Sequence, residues 1–125
     1  MSVRGPILSM MSGMALAGAA GASDGALRLS CLAPSWIDPA RLESVCRAVG
    51  DGIARQTGRR VEVVTGAADV ALEVVQLADT HVSARLHWPG VPPGPEVESG
   101  VVDAVLTERS FRDLAAGLLK VSPPP

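Results

Sequence analysis

The sequence predicts an α+β two-layer sandwich. A mostly antiparallel sheet of four or five strands carries two helices on one face, in the order β-α-β-β-β-β-α. Three observations carry this. Two segments place apolar residues at spacings of three and four, the period of a half-buried helix. Several short runs rich in Val and Leu are bounded by Gly, Pro or Asp, as strands are. The run His81 to Trp88 alternates so cleanly that one sheet face must be polar, which excludes a parallel sheet covered on both sides. A length of 125 residues holds one domain. With 47% hydrophobic residues but only Phe111, Trp36 and Trp88 as aromatics, the core is expected to consist of Val, Leu, Ile and Ala.

Residues 1–22 read as a secretory signal peptide. Arg4 is followed by an apolar stretch from Ile7 to Ala20, and then by the small residues Ala20-Gly21-Ala22 before the first acid, Asp24. The stretch is short and broken by Ser and Gly, so no stable membrane span is expected after cleavage. Residues 23–125 are expected to form the single small domain, periplasmic or secreted. Arg outnumbers Lys ten to one, a bias associated with GC-rich bacterial genomes.

Ala26 to Leu32 forms the first expected strand, with Leu27, Leu29 and Cys31 on one face and Pro34 closing it. Asp38-Pro39 opens the first helix: Asp38 is placed to accept from the free amides of the first turn, and Pro39 sits where a missing amide costs nothing. Leu42, Val45, Cys46, Val49 and Ile53 form its apolar stripe, while Arg41, Glu43, Arg47, Asp51 and Arg55 face outward. Gly50 and Gly52 weaken this helix and signal either a close approach to the sheet or a bend. Gly58 stops it. Arg60 to Thr65 is the second strand, joined to the first by a parallel crossover.

The third strand covers Asp69 to Leu77, with Val70, Leu72 and Val74 on one face and Ala71, Glu73, Val75 and Leu77 on the other. Asp79-Thr80 turns the chain into the fourth strand, whose Val82, Ala84, Leu86 and Trp88 point in and whose His81, Ser83, Arg85 and His87 point out to solvent. The run Pro89 to Pro95 is an exposed connection. It leads to a fifth strand from Glu96 to about Leu106, bulged at Gly100. Ser110 to Asp113 resembles a capping box opening the last helix, with Phe111, Leu114, Ala115, Leu118 and Leu119 as its stripe. Residues 122–125 are expected as a disordered Pro-rich tail.

Cys31 and Cys46 are the only cysteines. In an oxidising compartment they are expected to form a disulfide, because their separation is not that of a Cys-x-x-Cys metal or redox pair. The formal charge of −2, with no basic face and no aromatic series, excludes nucleic acid as a partner. His81 and His87 lie six residues apart on one strand face, about 20 Å, and cannot share an ion. No metal or cofactor is expected. No nucleophile elbow or phosphate loop occurs, Glu96 and Glu98 beside the Pro-rich connection read as solubilising charges, and no catalytic residue is assigned. Ser83, Arg85, His87, Trp88 and Trp36 form the candidate binding surface, since Trp and Arg anchor interfaces. The expected role is a non-catalytic accessory or interaction module, with another envelope protein as partner. The alternatives are a small hydrolase with a site near His87, Asp103 and Glu98, or a carrier of a metal or small ligand.

Overall fold

The computed structural model describes residues 25–101 and 104–125. The segment expected as a signal peptide and Asp103 therefore lie outside the described residues. The elements are β1 (Leu27–Leu32), α1 (Pro39–Thr57), β2 (Val61–Val63), β3 (Val70–Leu77), β4 (His81–His87), β5 (Val97–Gly100) and α2 (Glu108–Val121). They make one five-stranded sheet in the order β2-β1-β3-β4-β5. This is the α+β architecture and element order that the sequence predicts. The sheet is mixed: β1 runs parallel to both β2 and β3, while β3, β4 and β5 are antiparallel. α1 covers the β1–β2 half and α2 the β4–β5 half, with the two helices packed on each other.

The core is one cluster between helices and sheet. Leu29, Leu72, Val74, Val82 and Leu86 from the strands meet Val45, Val49, Ile53, Leu114 and Leu118 from the helices. Aliphatic side chains suffice because each covers its neighbours at both helix and strand period. In α1, Pro39 takes the first turn as expected, but Asp38 makes no side-chain capping bond. Its carbonyl accepts from Leu42 N–H instead, and Gly58, in the left-handed region at φ 71°, closes the helix by donating to the Ala54 carbonyl.

The two helical glycines answer different needs. A Cβ at Gly52 would meet Leu119 Cδ1 at 3.2 Å and Ala115 Cβ at 3.4 Å, so this glycine lets α1 and α2 approach closely. A Cβ at Gly50 would reach only ordinary contact, 3.5 Å from Val61 Cγ1 and 3.6 Å from Leu29 Cδ2. Gly50→Ala is therefore expected to stabilise the fold by up to about 1 kcal/mol through helix propensity alone. A urea melt showing a lower midpoint for the variant would contradict the spacing at this contact.

Several expectations need correction. β2 is only Val61–Val63 and β5 only Val97–Gly100, shorter than the spans 60–65 and 96–106. Past β5, Val101 N–H donates to the Thr80 carbonyl and Leu106 N–H to the Asp79 carbonyl, both in the β3–β4 turn. Leu77 lies on the core side, because the β3–β4 register shifts between Val74 and Gln76. The extra residue, Val75, reverses the alternation. α2 starts at Glu108, with Thr107 as its N-cap and its N–H donating to Ser110 Oγ at 3.1 Å, so Ser110 is the third helical residue and not the cap. Ser122, the first residue past α2, is buried, and its carbonyl accepts from Trp88 Nε1 at 2.8 Å.

Candidate functional site

Cys31 leaves β1 on the face that meets α1, and Cys46 lies on the stripe of α1 that meets the sheet. The structure joins them in a disulfide, with a Cα–Cα distance of 6.2 Å. Cys46 is buried and Cys31 is partly exposed. Beside them Pro39, Leu42 and Val63 line a groove of about 330 Å³ on the flank of α1 next to the short strand β2. Leu32, the last residue of β1, is exposed, and so, at 68% exposure, is Trp36 on the connection to α1. Its neighbour Ile37 is buried and anchors the turn, donating from its N–H to the Pro34 carbonyl.

The sheet face away from the helices carries a ladder of charge. Glu73 on β3 stands directly opposite Arg85 on β4. Arg85 Nε lies 3.6 Å from Glu73 Oε1, an ion pair too long for a hydrogen bond, and its Nη2 donates to Glu96 Oε1 at 3.3 Å. His87, opposite the short Ala71, reaches diagonally to Glu73 Oε1 with its Nε2 at 2.9 Å. His81 faces Gly100, which offers no side chain, and its Nε2 meets Glu98 Oε1 at 2.5 Å. Such half-exposed pairs each contribute about 1 kcal/mol or less. They fix register and satisfy the outer face.

The structure divides the binding surface expected from the sequence. Arg85 and His87 are half-exposed and share Glu73. Ser83 is not solvated: at 1% exposure it lies on an inner strand, shaded by the longer residues on either side and by Glu98 across from it. Its Oγ has no hydrogen-bond partner among the described residues. Ser83→Ala should accordingly cost nothing or stabilise slightly, by less than about 1 kcal/mol, because no bond is lost with the hydroxyl. A loss of more than this in a denaturant titration would reveal a partner. Trp88 is 6% exposed and belongs to the core, so it leaves the surface, while Trp36 is freely accessible.

Of the groups weighed for chemistry, the described ones are each held by a neighbour on an adjacent strand. Glu98 is engaged by His81, and His87 by Glu73. Among the described residues no group of three or more His, Cys, Asp or Glu side chains is placed to hold a metal ion. No helix among the described residues is long and apolar enough to cross a membrane.

One feature had no signal in the sequence. On the other flank of α1, a groove of about 510 Å³ runs between the two helices, with Gly52 and Leu119 at its base and Arg55, Gln56, Arg112 and Lys120 along its sides. Helical periodicity places each of these outward, but not opposite one another.

No family model matches the chain, and no curated protein matches it. Among solved structures it is similar to a PelC dodecamer from Paraburkholderia phytofirmans. The identity is 12%, the match covers 76% of this chain and 83% of that one, and the TM-score is 0.49.

Proposed function

We propose that this chain is an exported, periplasmic or secreted protein without catalytic activity that works by binding another protein of the cell envelope. The bonded Cys31–Cys46 pair carries the reading: structural disulfides persist in oxidising compartments and are rare where thiols are kept reduced. The positive start, apolar middle and small residues ahead of Asp24 support the same compartment. Trp36 supports the binding role, because a Trp exposed on a connection contributes little to the core and is a common interface anchor. Arg85 and His87, held by Glu73, offer a second polar patch on the sheet.

Two measurements test this. Mass spectrometry of the protein recovered from its host, with and without reductant, should show a mature chain lacking the N-terminal segment and a gain of about two daltons on reduction. Crosslinking in envelope extract should capture a partner at endogenous levels, and Trp36→Ala should weaken that capture. An unprocessed, reduced protein in the cytoplasm, or no partner at endogenous levels, would overturn the proposal.

A further inference from the structure

We propose that the groove between α1 and α2 is a docking site for an acidic peptide segment of a partner protein. This goes beyond the role above in naming a second surface and the chemistry of what it binds. It rests on that role only in taking the partner to be a protein.

Arg55 leaves the last turns of α1, while Arg112 and Lys120 lie eight residues apart on one face of α2; all three side chains are exposed. None of them makes an ion pair among the described residues, whereas Arg41, Arg60 and Arg85 each pair with a carboxylate. The carboxylates nearest in sequence, Asp51 and Asp113, do not line the groove. A chain of formal charge −2 therefore gathers three cations without ion-pair partners around one concavity. Charges facing a common recess reinforce one another's field and attract anionic groups.

The spacing selects the kind of anion. At 1.5 Å per residue, Arg112 and Lys120 are about 12 Å apart along α2. Two carboxylates about four residues apart on an extended peptide match this spacing, whereas one phosphate or sulfate would meet both heads only with the two side chains folded toward each other. The base of the groove is apolar, formed by the buried Gly52 and Leu119, and accepts a small hydrophobic side chain between the acids. Three cations are too few to anchor a nucleic-acid backbone against the repulsion of an acidic protein.

The test uses the full chain after export, a fluorescent oligoglutamate peptide of about ten residues, and an oligolysine peptide of equal length, read by anisotropy. Oligoglutamate should bind and oligolysine should not, and raising salt from about 50 mM to about 200 mM should weaken binding roughly tenfold. Arg55→Glu combined with Arg112→Glu and Lys120→Glu should weaken it at least about tenfold. The milder Gln triple should fall between, with unchanged circular dichroism, and Arg28→Gln, which removes an exposed cation of β1 that does not line the groove, should bind as the parent does. Equal affinity in the Glu triple, no binding at low salt, or displacement by millimolar inorganic phosphate would overturn the proposal. Should oligoglutamate fail while envelope crosslinking still captures a partner, the groove is refuted and the binding role stands.

Discussion

Reduction of the Cys31–Cys46 disulfide is expected to lower the free energy of unfolding by about 3 kcal/mol, the effect of opening a loop of this length in the unfolded chain. The sequence separation is 15 residues. For a domain of this size each kcal/mol shifts the melting temperature by about 4–8 °C, so the midpoint should fall by more than about 10 °C. The cross-link acts chiefly on the unfolded chain, and the stripe Val45, Val49 and Ile53 still holds α1 to the sheet when it is opened. The reduced protein at low temperature should therefore keep its far-ultraviolet circular dichroism. Cys31→Ala with Cys46→Ala should reproduce the effect of reductant, because Cys46 sits among apolar neighbours where a hydroxyl would add a second penalty. Thermal melts that agree within a few degrees with and without reductant would show that the bond stabilises little.

The elements that were legible in the sequence share one property: their pattern is local. Phe111, Leu114, Ala115, Leu118 and Leu119 all prove buried, because a helix of fixed period carries its own record of which side faces the core. The alternation from Val82 to Leu86 does the same for β4. What was not legible depends on contacts between distant segments. Nothing around Val75 announces a bulge; it is visible only against the register of β4. The apolar run after Gly100 reads as more strand, but the amides of Val101 and Leu106 go to the Thr80 and Asp79 carbonyls of the β3–β4 turn, partners that no local pattern announces. Ser83 is polar and outward, as its neighbours are, and is buried only because strands flank it on both sides and its own side chain is short. The candidate site shows the same division. Arg55 is legible as an outward residue, but its convergence with Arg112 and Lys120 depends on how closely Gly52 lets the helices approach.

The two tryptophans give the sharpest contrast, and Trp88→Ala is expected to cost about 3–5 kcal/mol, the usual range for removing a buried Trp. The ring is 6% exposed, and its Nε1 donates to the Ser122 carbonyl at 2.8 Å, just past the end of α2. Packing and hydrogen bond can be separated. Trp88→Phe keeps most of the buried area but leaves a buried carbonyl without its donor, a penalty of about 1–3 kcal/mol. Trp36→Ala, at 68% exposure, should change stability by less than about 0.5 kcal/mol. Urea titrations followed by circular dichroism decide this, because in the Trp88 variants the remaining indole is already solvated and reports folding poorly. Near-equal effects of the two alanine substitutions would mean that Trp88 does not join the Pro-rich connection to the end of α2. Gly94 supports that junction independently: its N–H donates to the Leu86 carbonyl at 2.9 Å, and a Cβ there would collide with the Ser122 side chain. The connection, Trp88 and the start of the tail thus form one packed unit at the end of the sheet where β4 stops. The Trp that alternation points inward belongs to the core, and Trp36, outside both helical and strand period, stays exposed.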